Sequence, residues 1–185
     1  MKPPLPRFLR KRSTPSNINR APSPTLVLIT PWLVVMIGSL APLLPLIASA
    51  PVVPPLGFLL LLTWMQLRPG VFPPWAGFPL GLFDDLFSGQ PLGSAALLWS
   101  FTVLGLDLLE MQVPWRNFLQ NWLIAAGIIL AYIVLSAIFA GTLTRPSVLA
   151  ILPPQAILAI LLVPLVGRLV ALFDRFRLVS VRNLD

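Results

Sequence analysis

Four acidic residues fall inside or beside apolar stretches of this sequence and are its first candidates for chemistry. Asp84 and Asp85 are adjacent, whereas Asp107 and Glu110 are three residues apart. A carboxylate at membrane depth is costly, so such a residue usually has a function, a partner or a neutral state. The spacing of each pair indicates what it can do.

The adjacent pair allows three interpretations. A catalytic acid/base dyad is disfavoured, because neighbours on a helix project about 100° apart and do not face each other. One aspartate could instead cap a helix end or bind a turn before Ser88 and Gly89, while the other faces the headgroups or the bundle interior. A third possibility is a helix-locking or partner-binding role, in which a buried carboxylate meets backbone donors or an arginine of another helix.

The second pair, Asp107 and Glu110, shares one helix face, and Arg116 follows a few residues later. This spacing predicts a local ion network at the membrane interface. The same three residues could instead contact a cytoplasmic or membrane partner.

Several kinds of reactive residue are missing from the chain. It has no Cys and no His, which excludes disulfides, thiolate or imidazole metal ligands, cysteine nucleophiles and the usual general base. The sequence also has no Gly-rich phosphate loop and no Ser/His/Asp constellation. We therefore expect a protein that is not an enzyme and that has no cofactor and no metal site.

The elements that position these residues are predicted to be membrane-spanning helices. Of the 185 residues 57% are hydrophobic and 10% charged, and mean hydropathy is +0.88, too apolar for a soluble globule. A span takes about 20 residues, so six fit with short loops. We predict an all-α bundle of six transmembrane helices over residues 25–175, with approximate spans 25–48, 51–67, 71–87, 92–109, 119–140 and 148–172.

Two of the predicted spans and both chain ends have special features. The spans 51–67 and 71–87 are short and rich in Pro, which predicts kinked, tilted or partly buried helices. Wherever a proline lies inside an apolar stretch of the chain, we expect neighbouring helices or water to satisfy the carbonyl that it frees. Residues 1–24 are basic and lack apolar periodicity, so they are predicted to form a disordered cytoplasmic tail. Residues 176–185 form a short second tail.

In the fifth span, pairs of small residues four apart permit close helix packing: Gly127 and Ala131, then Ala137 and Gly141.

The orientation follows from the basic residues, because cytoplasmic flanks are enriched in Lys and Arg. With the N-terminus in the cytoplasm, twelve of the 13 basic residues lie on the cytoplasmic side and only Arg145 lies outside. Both termini are therefore predicted to be cytoplasmic.

The stretch from Gly81 to Gly93 resembles a motif of the bacterial rod shape-determining protein MreD family, Gly-Leu-x-x-Asp-Leu-x-Ser-Gly-x-Pro-Leu-Gly. In outline the likeness extends over residues 25 to about 175. Asp84 stands where an apolar residue is more usual in the family, and the long basic tail is not a general family feature. The matching residues are Gly81, Leu82, Asp85, Leu86, Ser88, Gly89, Pro91, Leu92 and Gly93.

The resemblance implies a non-catalytic scaffold of the inner membrane that helps to position peptidoglycan synthesis in cell-wall elongation. It implies MreC as a partner, with the actin-like MreB, the polymerase RodA and its transpeptidase in a larger complex, membrane lipid around it and no nucleic acid. The family is also similar in architecture to the substrate-binding components of energy-coupling-factor transporters. The alternative is therefore a small-molecule or lipid-binding transport component.

Overall fold

The computed structural model describes residues 20–22, 24–43, 53–113, 116–177 and 180–183. Within this part the chain is almost entirely helical. In chain order the elements are β1 (Arg20–Pro22), α1 (Pro24–Ser39), a 3₁₀ turn (Ala41–Leu43), α2 (Leu56–Leu67), α3 (Gly77–Ser88), α4 (Ser94–Gln112), α5 (Phe118–Phe139), α6 (Pro146–Arg177) and β2 (Ser180–Asn183).

Four helical segments of the described residues are long and apolar enough to cross a membrane. They are Thr25–Leu43, Ser94–Gln112, Phe118–Phe139 and Pro146–Arg177. Helices α2 and α3 have 12 residues each, or about 18 Å, which is shorter than a hydrocarbon core of about 30 Å. The structure thus supports four spans by length, and the count of six remains a prediction.

Prolines account for the two short helices. Helix α2 starts only after Pro54 and Pro55, and α3 starts only after the turn that contains Pro73 and Pro74. Proline lacks the N–H that a helix interior needs and pushes the preceding residue out of the helical region. The predicted stretches 51–67 and 71–87 are therefore helical over only part of their length.

Helix α2 lies in the middle of the bundle. Nine of its 12 residues are buried, and it packs against α1, α4, α5 and α6. Its side chains Phe58, Leu59 and Trp64 are fully buried. A helix that is apolar all round belongs inside a bundle, so α2 is a core helix rather than a regular lipid-facing one, as its prolines predicted.

The helix ends group the basic residues at one end of the bundle, here called the basic end. Arg68, just after α2, bonds to Asp174 near the end of α6, and Arg177 bonds to the carbonyl of Val27 in α1. The set at this end comprises Arg68, Arg116, Arg168, Arg175 and Arg177. Arg145 lies in the α5–α6 loop at the opposite end.

Two prolines inside helices leave carbonyls that distant side chains satisfy. Pro31 frees the carbonyl of Val27, which accepts a hydrogen bond from Nη1 of Arg177 at 3.2 Å. Pro164 frees the carbonyl of Ile160, which accepts from Nε1 of Trp122 at 3.3 Å. The predicted satisfaction of freed carbonyls by neighbours is confirmed at both positions.

The two chain ends meet at the basic end. β1 pairs with β2 in an antiparallel ladder, with Arg20 opposite Asn183. The sequence did not predict this pairing. Of the predicted tails, Pro24 belongs to α1, and Phe176 and Arg177 belong to α6. Apart from these residues and the two strands, the predicted tails (1–19, 23, 178–179 and 184–185) lie outside the described residues.

Candidate functional site

The side chain of Asp85 caps the start of α4. Its Oδ2 accepts from the N–H of Gly93 at 2.8 Å and of Ala96 at 3.2 Å. Its Oδ1 accepts from the N–H of Ala95 at 2.9 Å and from the hydroxyl of Ser94 at 3.2 Å. Asp85 is 5% exposed, so one buried carboxylate receives four hydrogen bonds.

This arrangement compensates two costs at once. The first N–H groups of a helix have no partner within the helix, and they form the positive end of its dipole. Gly93, the residue at the N-cap of α4, has no side chain to supply one. Asp85, on α3, supplies the acceptor instead. The same hydrogen bonds offset the cost of removing its carboxylate from water. The predicted capping of a helix end by one of the two aspartates is therefore found at Asp85.

The glycines of the Gly81–Gly93 run shape the same α3–α4 hairpin. Gly89 (φ 68°) ends α3 and Gly93 (φ 95°) precedes α4, both in the left-handed region that favours glycine. A Cβ on Gly81 would lie 2.6 Å from the carbonyl oxygen of Ala95. The two helix backbones therefore touch at Gly81.

The other residues of the run lie around the turn. The carbonyl of Pro91 accepts from the N–H of Ser94 at 3.0 Å, and Leu82 is half-buried. Leu86 and Leu92 are exposed, and the buried hydroxyl of Ser88 has no hydrogen-bond partner. Most of the run thus builds the hairpin, while its two outward leucines are free to contact lipid or another protein.

Asp84 points to a different place. It is 7% exposed, and its carboxylate faces Ser39 of α1 and Tyr132 of α5. Trp99 of α4 adjoins Tyr132, and the Ser39 hydroxyl and the Trp99 indole N–H are buried without a hydrogen-bond partner. Asp84 thus belongs to a polar cluster in which α1, α3, α4 and α5 meet, which is the bundle-interior position predicted for the aspartate that does not cap a helix.

The second acidic pair is only partly as predicted. Nη2 of Arg116 bonds to Glu110, which confirms a local ion pair. Asp107 is half-buried and has no ion pair with any residue that the structure describes. Along α4 it lies 12 residues beyond Ala95, or about 18 Å. The two acidic pairs are therefore too far apart to act as one acid/base site.

A third ionic group was not predicted as a site. Oδ2 of Asp174 accepts from Nε of Arg68 at 2.8 Å and from Nη2 at 2.6 Å. Its Oδ1 lies 2.9 Å from Nε of Arg177, whose guanidinium stands 5.3 Å above the ring of Trp64. In the sequence these arginines indicate only the orientation of the chain. The signal that could have predicted the ionic group is Asp174, an acid among the basic residues at the end of the last helix.

The close helix contacts also differ from the prediction. Gly127 and Gly141 have open space where a Cβ would be, so neither forms a close helix contact among the described residues. The tight contacts are elsewhere. A Cβ on Gly57 would lie 2.2 Å from the hydroxyl of Ser39, and a Cβ on Gly77 would lie 2.6 Å from the carbonyl oxygen of Trp99.

Four cavities of about 300 to 450 Å³ lie between neighbouring helices, and their walls are mainly apolar. The centre of the bundle is filled by α2 together with the fully buried Trp99. No three His, Cys, Asp or Glu side chains of the described residues come together as a metal site.

Comparison with known proteins gives no relative, since no protein-family model, no curated protein and no solved structure matches this chain.

Proposed function

We propose that this chain is a non-catalytic membrane scaffold of the MreD kind. In this proposal it crosses the inner membrane of a bacterium six times, binds MreC and helps to position peptidoglycan synthesis during cell-wall elongation. MreB, RodA and its transpeptidase belong to the same larger complex.

The observation that carries the proposal is the structural use of the Gly81–Gly93 run. The carboxylate of Asp85 accepts four hydrogen bonds from the start of α4. Gly81 packs directly against the α4 backbone at Ala95. A motif whose carboxylate is consumed by helix capping has no free acid for a reaction. Such a motif suits a protein that holds partners in a fixed arrangement.

The arrangement of the chain supports six passes with both termini in the cytoplasm. The end of α2 contacts the end of α6, and Gln66 of α2 bonds to Asn121 in the first turn of α5. At the opposite end Gly57, at the start of α2, lies against Ser39, at the end of α1. Helices α1, α2, α5 and α6 thus alternate in direction, and the basic end is assigned to the cytoplasm because Lys and Arg are retained there.

The test is depletion of the protein in its bacterial host, combined with purification of the tagged chain in mild detergent. We expect depleted cells to become round and MreC to co-purify. Unchanged shape and wall insertion, together with no MreC in the purified complex, would contradict the scaffold proposal.

The alternative, a transport component for a small molecule or lipid, has one observation in its favour. The cavity of about 310 Å³ between α2, α5 and α6 holds polar groups of Gln66, Asn121 and Arg168 among apolar walls. Against it stands the centre of the bundle, which the described side chains of α2 and Trp99 fill. A substrate that accumulates in vesicles containing the purified chain would favour the transport component over the scaffold.

A further inference from the structure

The cavity between α2, α5 and α6 combines an apolar wall with an open mouth at the basic end. Thr63 and Gly167 lie at its inner side, and Trp122 and Pro164 form part of the wall. Phe118, Pro164 and Arg168 are exposed, so the cavity opens at the protein surface. Its volume of about 310 Å³ is at the lower end of the range for ligand sites.

The sequence explains why this depression exists. Gly167 has no side chain, and a Cβ there would meet Thr63 Cγ2 only at 3.7 Å. The indole N–H of Trp122 donates to the carbonyl of Ile160 that Pro164 frees, and this hydrogen bond holds the Trp122 ring against α6. The small residue at 167 and the bound position of Trp122 therefore leave this space open.

Polar groups at the mouth lack partners. Arg168 forms no ion pair or hydrogen bond within the part of the chain that the structure describes. Oδ1 of Asn121 is buried and has no hydrogen-bond partner. An exposed guanidinium without a protein partner attracts anions and forms strong, often bidentate hydrogen bonds with phosphate oxygens.

Arg168 lies at headgroup depth. From Pro146 to Arg168 the helix α6 rises about 33 Å, close to the thickness of the hydrocarbon core. Arg175 is seven residues further on, on the same face of α6, and is also exposed. The apolar cavity thus lies below a cationic strip at the membrane surface.

We propose that this cavity binds one anionic phospholipid of the phosphatidylglycerol type. An acyl chain packs against Trp122, Pro164 and Gly167, and the phosphodiester pairs with Arg168. The site is independent of the scaffold proposal, because it requires only that α5 and α6 are surrounded by lipid.

The chain in mild detergent is mixed with equimolar dioleoyl phosphatidylglycerol and dioleoyl phosphatidylethanolamine. Native mass spectrometry then counts the molecules of each lipid that stay bound. We expect the wild-type chain to retain phosphatidylglycerol preferentially. R168Q should weaken its retention about fivefold, the effect of one basic residue near the surface. Ala171 also lines the cavity, so A171L, which fills it without changing charge, should weaken the retention as well.

R145Q is the matched control, since Arg145 carries the same charge at the opposite end, and its lipid retention should equal that of the wild type. Elution volume and thermal unfolding of each variant show whether it is folded. Equal retention of the two lipids by the wild-type chain would overturn the proposal. Folded R168Q and A171L that both retain phosphatidylglycerol as the wild type does would overturn it too.

Discussion

At the scale of single residues, two neighbouring carboxylates have separate surroundings. Asp85 faces the start of α4 and is saturated with donors, whereas Asp84 faces the side chains of α1 and α5. The difference follows from the angle of about 100° between adjacent helix positions, which turns one acid to the partner helix and the other to the bundle interior. Asp85 thus connects α3 to α4, and Asp84 connects α3 to α1 and α5.

The pair provides an internal comparison. D85N keeps one acceptor oxygen but brings an amide donor against the backbone N–H groups of α4, so we expect it to lower the free energy of unfolding by about 2 kcal/mol or more. D84N keeps a polar group beside Ser39 and Tyr132, so we expect a loss below about 1 kcal/mol. Unfolding by titration with SDS measures both.

R145Q, far from the hairpin, is the control for general sensitivity to substitution. If D84N were as destabilising as D85N, Asp84 and not the cap of α4 would be the main polar anchor of α3.

The sequence could predict that one aspartate caps a helix, but not which one. Which aspartate does so depends on how α3 packs against α4. That packing is set by the contact of Gly81 with Ala95, which exists only in the folded hairpin. Asp174 was overlooked for a similar reason. Its partner Arg68 is 106 residues away in the chain, beyond any local pattern.

At the scale of elements, the helices α4, α5 and α6 lie close to their predictions, because their apolar stretches are long and their ends are marked by polar residues. The predicted span 119–140, for example, is Phe118–Phe139 in the structure. Helices α2 and α3 were predicted too long, because hydropathy does not show that the prolines at 54, 55, 73 and 74 delay the start of each helix. The glycine contacts show the same limit, since tight packing occurs at Gly57, Gly77 and Gly81 and not in α5.

Two alanine substitutions separate close packing from helix propensity. In G81A the new Cβ would collide with the carbonyl of Ala95, so α3 and α4 must separate, and we expect a loss of about 2 kcal/mol in the free energy of unfolding. G127A has open space, and Ala is a better helix former than Gly, so it should be neutral or stabilise by up to about 1 kcal/mol.

The same SDS titration that compares the aspartates measures this pair. Equal stability of G81A and the wild type would mean that the two backbones are not in contact.

At the scale of the whole molecule, the described basic residues other than Arg145, the end of α2 and the two short strands are gathered at one end. This asymmetry agrees with the charge distribution that predicted the orientation. Length and composition alone support four spans, so the two short helices decide the topology. They could pass through the membrane within the bundle, or they could enter and return on one side.

Introduced cysteines can distinguish these topologies without background, since the chain has no Cys. For six passes we expect Pro69→Cys, in the exposed α2–α3 loop, to react with a membrane-impermeant maleimide only after the cells are opened. Thr144→Cys, in the exposed α5–α6 loop, should react in intact cells. Labelling of Pro69→Cys in intact cells would contradict the six-pass topology, which places the α2–α3 loop at the cytoplasmic end beside Arg68 and Asp174.

The hydrogen bond from Arg177 to Val27 has a consequence for the order of assembly. The α3–α4 hairpin is closed by contacts only 8 to 11 residues apart, so it can form as soon as it is synthesised. The carbonyl freed by Pro31 instead waits for a donor 150 residues later. We expect α1 to remain close to water or to the insertion machinery until α6 emerges from the ribosome, so that the first helix to be made is among the last to be secured.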